Sequence, residues 1–335
     1  MRIAIVGAGA MGSLLGHGLQ RGGHEVALLD LPARVEQIRT LGGLAVIGED
    51  GVETSTRPSL VTTDYAQAGP HDLVILATKA HDLPAVAAHV PQLMGPDSVV
   101  LTIQNGIPWW YLQGLQGNFE GARIPCLDPD GALERHIPTG RIVGCVAYPA
   151  ASLDADGRVR HVEGRRFPVG ELDGVARART RQVAAALEEA GFKSRVIDDV
   201  RSEIWLKAWG ALSINPISAL TGATMAGICS FAPTRDLVAS MMQEAKGVAE
   251  ALGATFRHTI DERIEGARRV GAHKTSMLQD VEAGRPLELD ALMLAVLELA
   301  ELTGVSAPTI RSVYACAALL NEGVLASRRS RGSGP

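Results

Sequence analysis

The stretch that decides the fold directly follows the first residue and reads Arg2-Ile3-Ala4-Ile5-Val6-Gly7-Ala8-Gly9-Ala10-Met11-Gly12. Its apolar part, residues 3–6, is typical of a β-strand buried on both faces. The strand runs into the spacing Gly-x-Gly-x-x-Gly, formed by Gly7, Gly9 and Gly12. This pattern predicts a strand, a tight glycine turn and a helix that starts close to the strand.

Each glycine of this turn has a predicted function. Gly7 permits the tight turn, Gly9 lets the backbone approach a pyrophosphate, and Gly12 lets the helix pack closely on the strand. The phosphates would then lie at the helix N-terminus, where unpaired N–H groups and the positive end of the dipole attract an anion. We therefore predict a dinucleotide site, with an ordinary glycine-rich turn as the alternative. The predicted cofactor contacts in this turn are Gly7, Ala8, Gly9, Ala10, Met11 and Gly12.

An acidic residue follows at the spacing that such a site requires. Residues 13–20 suit a helix, and residues 24–29 read as a second strand that ends at Asp30, 23 positions after Gly7. In dinucleotide-binding folds an acidic residue about 20 positions after the glycine motif binds the ribose hydroxyls of NAD. Asp30 is therefore a predicted cofactor contact.

Length and composition limit the possible classes of protein. A chain of 335 residues can form two domains, and 46% hydrophobic with 21% charged residues is an ordinary globular composition. A net charge of −5 and a pI near 6.0 argue against nucleic acid as the main partner. No apolar run approaches the roughly 18 residues needed to cross a bilayer, and the amino terminus reads as a strand rather than a signal peptide. We expect no membrane partner and a cytoplasmic location.

The cysteines carry no recognisable site. Cys126, Cys145, Cys229 and Cys316 are scattered, without the spacing of a metal or redox motif. Buried thiols are favoured over metal ligands or disulfides, and we predict no metal.

Two further strands of the amino-terminal half end in polar clusters. Residues 72–77 lead into Thr78-Lys79-Ala80, and residues 98–103 lead into Gln104-Asn105-Gly106. Ligands of doubly wound sheets bind outside the carboxyl ends of the strands, so Lys79 and Asn105 are candidates for binding. A solvated loop lysine and a turn-forming asparagine are equally good interpretations from position alone.

A long irregular region follows, in residues 107–140, and begins with Trp109, Trp110 and Tyr111. Structureless loops beyond about 15 residues are uncommon unless they have a function. The three aromatic residues either pack as a plug or form a substrate wall or lid. The wall is favoured, because the loop leaves the strand that ends at Asn105.

The remaining pattern predicts two domains. A hairpin is expected at residues 44–47 and 52–56, strands at 141–150, 158–162, 167–170 and 194–197, and a helix at 175–190, whereas residues from 199 onward have helical periodicity. The predicted fold class is α/β, with a Rossmann-type doubly wound parallel sheet in residues 1–195 and an all-helical domain in residues 196–326. Residues 327–335 are expected to be a disordered tail, and substrate is expected in the cleft between the domains.

The second half resembles the ketopantoate reductases. The resemblance rests on Glu203-Ile204-Trp205-Leu206-Lys207, residues 214–220, Ser276-Met277-Leu278-Gln279-Asp280 and Glu288-Leu289-Asp290. With the glycine turn and the clusters at residues 78–80 and 104–106, these motifs occur in the order of the family across nearly the whole chain. The family reduces 2-dehydropantoate to pantoate with a nicotinamide cofactor, usually NADPH, on the route to coenzyme A.

The resemblance implies a role for each matching residue. Lys207 matches the catalytic lysine, Asn215 a substrate asparagine, Ser276 the substrate-binding serine and Glu288 the active-site glutamate. Lys79 and Asn105 match residues at the boundary of cofactor and substrate.

These roles agree with the chemistry of ketone reduction. The ketone oxygen gains negative charge as hydride adds to the carbon, and a cationic lysine both stabilises that charge and donates a proton. Asn215 shares a helix face with Lys207, because each four-residue step rotates by about 400°. Glu288 would hold Lys207 or bind a substrate hydroxyl.

Structural roles compete with each assignment. Lys207 lies four positions after Glu203, as in a common surface ion pair, and periodicity alone would favour that pair. The family motifs reverse this preference. For Ser276 a helix-cap role competes almost evenly, and for Glu288 a solvated helix start is the weaker alternative.

The chain departs from the family pattern at two positions. The family usually has an asparagine four residues after the lysine, where this chain has Ala211, so the substrate or the turnover is expected to differ. Family members often carry an arginine after the second strand to pair with the 2′-phosphate of NADPH, where this chain has Asp30, whose carboxylate would repel that phosphate. Arg34 could swing in, but NADH is favoured over NADPH as the cofactor.

Three hypotheses follow from these observations. The first is reduction of ketopantoate or a close relative, and the second is a related dehydrogenase for another small keto or hydroxy acid. The third is a dinucleotide-binding sensor without turnover, against which the retained Lys207 and Glu288 argue. The apolar helical faces of the second domain favour a homodimer.

Overall fold

A computed structural model of the chain describes residues 1–115, 117–119 and 121–332, which form two compact units. The first comprises residues 1–104, 108–123 and 128–200, and the second comprises residues 105–107, 124–127 and those from 201 onward. The predicted boundary at residue 195 falls inside the first unit. Two short segments before that boundary belong to the second unit, which no local pattern in the sequence indicates.

The first unit contains twelve strands in its described residues. They are β1 (Arg2–Val6), β2 (Glu25–Leu29), β3 (Leu44–Ile47), β4 (Glu53–Thr56), β5 (Leu60–Thr62), β6 (His71–Leu76), β7 (Met94–Thr102), β8 (Ile142–Cys145), β9 (Ala150–Leu153), β10 (Val159–Glu163), β11 (Arg166–Gly170) and β12 (Lys193–Val196). Its helices are α1 (Ala10–Arg21), α2 (Pro32–Thr40), α3 (Tyr65–Ala68), α4 (Leu83–Ala87), α5 (Ala132–His136) and α6 (Ala178–Glu189). Short 3₁₀ turns lie at Ala80–Asp82, Val90–Leu93 and Thr139–Arg141.

Eight of the strands form one sheet, in the order β12-β11-β8-β7-β6-β1-β2-β5. From β5 to β8 all neighbours are parallel, and the order reverses on either side of β1, as in a doubly wound Rossmann-type sheet. The predicted fold class is confirmed. The sheet is mixed, because β11 is antiparallel to β8.

The register of this sheet brings the predicted cofactor residues to one edge. Val6 pairs with Leu29 and with Leu76, and Leu76 pairs with Thr102. The residues that follow β1, β2, β6 and β7 therefore leave the sheet at the same level. The apolar side chains behind this edge, such as those of Ile5, are fully buried and hold the strands in that register.

A second sheet was not predicted, although its hairpin was. β3 and β4 form the expected antiparallel hairpin, and β10 pairs with β3 and β9 to give the order β4-β3-β10-β9. Residues 141–150, predicted as one strand, divide between the two sheets. α1 packs between them: a Cβ added at Gly16 would lie 3.2 Å from both Leu28 Cδ2 and Leu44 Cδ1.

Every regular element in residues 201–332 is helical, as predicted. α7 (Val200–Thr221), whose first residue still belongs to the first unit, is followed by α8 (Met225–Ser230), α9 (Ala232–Ala251), α10 (Ile260–Arg269), α11 (Ser276–Glu282), α12 (Ala295–Thr303) and α13 (Pro308–Gly332). A π-helical turn, Asp290–Leu294, directly precedes α12. α9 presents a buried face that includes Met242, whose carbonyl accepts a hydrogen bond from Trp209 Nε1 at 2.6 Å.

The carboxyl terminus differs from its prediction. α13 continues to Gly332, and Ser327 Oγ donates to the carbonyl of Gly323 at 2.9 Å. Residues 327–332 are therefore helical rather than disordered, because neither proline nor glycine interrupts the chain between Gly323 and Gly332. Residues 333–335 lie outside the described part of the chain.

The thiols are only partly buried as predicted. All four cysteines are thiols outside any disulfide: Cys145 and Cys229 are buried, Cys126 is half-buried, and Cys316 is exposed on α13. Burial, and then the charge of Glu298, raises the pKa of the Cys126 thiol. Among the described residues there is no group of three or more potential metal ligands, and no helix combines the length and apolarity of a membrane span.

Candidate active site

The glycine turn has the geometry that its spacing predicts. Gly7 has φ of +98°, and a Cβ there would lie 2.6 Å from the Thr78 amide nitrogen. A Cβ at Gly12 would lie 1.8 Å from the Gly7 carbonyl oxygen, so no side chain fits at either position. At Gly9, apart from its chain neighbours, no atom of the described residues lies within 4 Å of an added Cβ. The surface at Gly9 is open, next to the start of α1, where the first N–H groups of the helix lack intrahelical partners.

Asp30 and Arg34 hold the second residue of this turn from both sides. Asp30 Oδ2 accepts a hydrogen bond from the Ala8 amide at 2.5 Å, and Arg34 Nε donates to the Ala8 carbonyl at 2.7 Å. Arg34 also donates to Ser13 Oγ at 3.0 Å and to the Gly157 carbonyl at 3.1 Å. Burial lowers the pKa of the Arg34 guanidinium, and the charge of Asp30 partly opposes this shift. Arg34 is thus engaged by the turn itself.

Two buried oxygen atoms at this edge of the sheet lack partners among the described residues. They are Oγ1 of Thr78, which lies just after β6, and Oε1 of Gln104, which lies just after β7. Gln104 Nε2 donates to the carbonyls of Leu76 at 2.8 Å and Thr78 at 3.1 Å, which fixes the amide with its oxygen unsatisfied. Buried polar atoms without partners are costly unless a ligand or water satisfies them. With the open surface at Gly9, they fit a bound dinucleotide.

Neither oxygen was singled out from the sequence, although both belong to polar clusters noted at the strand ends. The signal that identifies them is their position directly after a buried parallel strand. Lys79, which was predicted, lies at the start of the 3₁₀ turn Ala80–Asp82 and is half-buried.

In the second unit, the middle of α7 exposes a single narrow face. From Ser202 to Ala219 every residue is buried except Lys207, Gly210, Ala211 and Asn215. These four recur at helical spacing and lie on one side of the helix. Glu203, one turn before Lys207, is 3% exposed and accepts a hydrogen bond from Arg257 at 2.8 Å. The burial pattern argues against a solvated surface pair as the function of Lys207.

Lys207 is held by an asparagine that precedes it by 102 positions. Lys207 Nζ donates to Asn105 Oδ1 at 2.7 Å, and both residues belong to the second unit. The Ile107 amide, two residues after Asn105, donates to the carbonyl of Ala291 in the π-helical turn at 2.8 Å. An ammonium group and an amide therefore meet on the half-exposed face of α7.

Comparisons with known proteins identify the family. The model of the ketopantoate reductase PanE/ApbA family matches residues 3–174, and the model of its carboxyl-terminal domain matches residues 199–321. The chain belongs to the ketopantoate reductase family. It is 46% identical to 2-dehydropantoate 2-reductase of Mesorhizobium japonicum, over 94% of this chain and 96% of that protein.

Solved structures give the same result. A protein of Ralstonia solanacearum MolK2 that is assigned as a ketopantoate reductase has a TM-score of 0.90 and 35% identity, covering 96% of this chain and 98% of that one. The 2-dehydropantoate 2-reductase of Geobacter metallireducens GS-15 has a TM-score of 0.82 and 27% identity, covering 95% of this chain and 99% of that one.

Three further residues that the family resemblance implies are not joined to Lys207 by any described bond. Asn215 and Glu288 are half-exposed, and neither side chain forms a hydrogen bond or ion pair among the residues that the structure describes. The expected contact in which Glu288 holds Lys207 is absent from that part of the chain. Ser276 is exposed at the first position of α11, which Thr275 caps by accepting from the Leu278 amide at 3.3 Å. The cap role considered for Ser276 thus belongs to its neighbour.

The aromatic loop of this family member is part of the core, and the substrate-wall interpretation is wrong. Trp109, Trp110 and Tyr111 are at most 5% exposed, and Trp110 Nε1 donates to Thr102 Oγ1 at 2.9 Å. Trp110 packs on Gly144 of β8, where an added Cβ would lie 2.9 Å from the ring. The three residues form the plug that was the alternative. Gln116 and Glu120 of the predicted loop lie outside the described residues.

Proposed function

We propose that the protein is a 2-dehydropantoate 2-reductase that reduces ketopantoate to pantoate with a nicotinamide cofactor. The observation that carries this proposal is the pair formed by Lys207 Nζ and Asn105 Oδ1, 2.7 Å apart, on the half-exposed face of α7 in a chain of this family. It provides a cation and a polar anchor for a small keto acid.

The residues of the second unit have distinct roles in the proposed reaction. The Lys207 ammonium donates a hydrogen bond to the ketone oxygen, stabilises its developing negative charge and transfers a proton to it. Asn105 holds the ammonium by accepting a hydrogen bond from one of its three N–H groups. Asn215, Ser276 and Glu288 are proposed to bind the carboxylate and hydroxyl of the substrate.

The first unit is proposed to hold the cofactor. A bound NADH or NADPH supplies the hydride that adds to the ketone carbon, and the proton from Lys207 completes the alcohol. Gly9 and the amides at the start of α1 would hold the pyrophosphate, while Thr78 and Gln104 would offer their unsatisfied oxygens to donors of the cofactor. Lys79 is proposed to lie at the same site.

We infer a preference for NADH over NADPH. The Asp30 carboxylate would accept hydrogen bonds from ribose hydroxyls and repel a 2′-phosphate. Arg34, the nearby cation, already donates to the Ala8 carbonyl, Ser13 Oγ and the Gly157 carbonyl. Turning it toward a phosphate would break these bonds, each of which contributes about 1 kcal/mol.

A substrate screen with both cofactors tests the proposal. Initial rates would be measured for ketopantoate, for 2-keto acids without its 4-hydroxyl group, and for 3-keto acids, each with NADH and with NADPH. We expect ketopantoate with NADH to give the highest kcat/KM. Tight cofactor binding without turnover of any keto acid would instead identify a sensor.

A second candidate is a dehydrogenase for another small 2-keto or hydroxy acid, and Ala211 favours it. Ala211 lies between Lys207 and Asn215 on the half-exposed face and offers no hydrogen bond where the family usually has an asparagine. A bulkier or less polar substrate would tolerate this position better. A higher kcat/KM for such an acid than for ketopantoate would select this candidate.

We further propose a cytoplasmic location and a homodimer. The apolar helical composition of the second unit supports the dimer. Sedimentation equilibrium of the purified chain, whose monomer mass is 35.3 kDa, tests it.

A further inference from the structure

The π-helical turn before α12 receives the segment that carries Asn105. π-helical turns are rare and occur mostly as single turns, frequently at functional sites. Here the turn spans Asp290–Leu294, and the carbonyl of Ala291 accepts a hydrogen bond from the Ile107 amide at 2.8 Å. Residues 105–107 and this turn both belong to the second unit.

Gly106 brings these two pieces of backbone into direct contact. Its φ is +83°, a conformation that side chains disfavour, and an added Cβ would lie 2.2 Å from the Ala291 carbonyl oxygen and 2.5 Å from its carbon. Any other residue would have to move away from the turn. Gly106 is thus required both by its conformation and by its neighbour.

A second segment of the same unit, residues 124–127, contacts the π-helical turn and α12. The Cys126 amide donates to both carboxylate oxygens of Glu298, at 3.2 and 3.1 Å, and Cys126 Sγ lies 3.9 Å from the Asp290 carbonyl. The π-helical turn and α12 are therefore contacted by two segments of the second unit, residues 105–107 and 124–127. A surface held in this way can fix the position of the residue before Gly106.

We propose that Gly106 and the π-helical turn position Asn105, and through it the Lys207 ammonium. Gly106 acts as a positioning residue: it allows the Ile107 amide to reach the Ala291 carbonyl, which fixes the backbone at Asn105 and aims its Oδ1 at Lys207 Nζ. The importance of this position for catalysis rests on the proposed function. The positioning itself can be measured without any turnover.

The test compares Gly106→Ala with Gly304→Ala. Gly304 has a similar φ of +71° and directly follows α12, but in the described part of the chain no atom beyond its chain neighbours lies within 4 Å of its added Cβ. The control therefore carries the backbone strain without the contact. Competitive labelling with acetic anhydride, followed by mass spectrometry, reports the reactivity of each lysine in the folded, full-length protein. Lys207 Nζ is engaged in the bond to Asn105 Oδ1, and an amine that leaves such a bond reacts faster with the anhydride. We expect Gly106→Ala to increase Lys207 labelling about tenfold relative to other lysines, as Asn105→Ala does, and Gly304→Ala to leave it unchanged.

A double-mutant cycle separates positioning from general destabilisation. Because Gly106 acts through Asn105, Gly106→Ala in an Asn105→Ala background should add less than twofold to the labelling. In turnover with ketopantoate, Gly106→Ala should lower kcat with little change in the Kd of NADH. Unchanged Lys207 labelling in folded Gly106→Ala, or equal effects of the two glycine variants, would overturn the proposal.

Two variants of Ile107 replace Gly106→Ala if that variant does not fold. If Gly106→Ala does not fold, Ile107→Pro removes the amide that donates to Ala291, and Ile107→Ala keeps that amide while removing the same side chain. Labelling of Lys207 should then rise in the proline variant alone, and equal labelling in both would contradict the proposal. If the wild type reduces no keto acid, the proposed function fails while the labelling result still stands.

Discussion

The glycine turn and the half-exposed face of α7 are built in opposite ways. The turn functions through missing side chains: its shape comes from backbone contacts of Gly7 and Gly12, and Gly9 leaves an open surface. The face of α7 functions through side chains, and Lys207 depends on an asparagine 102 positions away. A local motif therefore specifies the first region, whereas the second needs tertiary structure. Substitutions should consequently affect binding at one region and chemistry at the other.

The largest effect is expected from Lys207→Ala. Loss of the proton donor should lower kcat for ketone reduction about 10³-fold, with the Kd of NADH unchanged, because the glycine turn is in the other unit. Steady-state kinetics and titration of NADH fluorescence measure the two quantities. Lys246→Ala is the matched control, since Lys246 is a half-buried lysine of α9 paired with Glu250 at 3.5 Å. An equal loss of cofactor binding would break the proposed division between the regions.

Glycine substitutions test the other side of the comparison. Gly12→Ala places a methyl group on the Gly7 carbonyl and should lower the free energy of unfolding by about 3 kcal/mol. The added Cβ of Gly9→Ala has no atom of the described residues beyond its chain neighbours within 4 Å, so the stability should stay within about 0.5 kcal/mol of wild type while the Kd of NADH rises about tenfold. Urea denaturation and NADH titration would measure these values. A Gly9→Ala protein that binds NADH normally would exclude Gly9 from the phosphate site.

Asp30→Ala should change cofactor preference by a smaller amount. Removing the carboxylate eliminates the repulsion of a 2′-phosphate and the acceptor for ribose hydroxyls, so the ratio of kcat/KM for NADH to that for NADPH should fall about tenfold. In this variant the Ala8 amide also loses the carboxylate that accepts its hydrogen bond, which should weaken the binding of both cofactors alike. Only the ratio is therefore diagnostic. An unchanged ratio would mean that another group selects the cofactor.

The same contrast explains which features could be predicted from the sequence. β1, β2, β6 and β7 have apolar runs and polar ends, so their existence and the common edge at which they end followed from local pattern. The second sheet could not be predicted from local pattern, because β10 pairs with β3 across more than 100 residues. The loop with Trp110 was misinterpreted because hydrophobicity does not distinguish a side chain that covers the core from one that covers a ligand. That Lys207 and Asn105 belong to one site was implied only by the family resemblance, and their direct bond was not predicted.

Other errors came from the limits of spacing. The cap role that was weighed as the alternative for Ser276 belongs to Thr275, since both residues suit a cap. Arg34 was considered only as a free cation, because no sequence pattern shows a guanidinium bonded to the Ala8 carbonyl. The role of Gly106 depends on a π-helical turn that lies almost 200 residues later.

The smallest effect is expected from a substitution of His17, on α1. His17 bonds Thr56 Oγ1 through Nδ1 at 3.1 Å and Thr54 Oγ1 through Nε2 at 2.9 Å, and so joins α1 to the second sheet. Burial, and then the charge of Arg21, lowers the pKa of His17 from 6.5 to about 4. Between these pH values His17 is protonated in the unfolded chain and neutral in the folded chain. The free energy of unfolding therefore decreases as the pH falls from about 6.5 to about 4.

In the variant His17→Asn this pH dependence should be lost, while binding and turnover at pH 7.5 stay close to wild type because His17 lies outside both site regions. The Tm of the wild type should thus fall by a few degrees more than that of the variant between pH 6.5 and pH 4, equivalent to about 2 kcal/mol. Calorimetric scans at half-unit pH intervals would measure the difference. Parallel Tm curves would show that His17 titrates alike in the folded and unfolded chains. A loss of NADH affinity in the variant would instead show that the packing of α1 on the second sheet controls the glycine turn, and the first region would then depend on distant side chains as much as the second does.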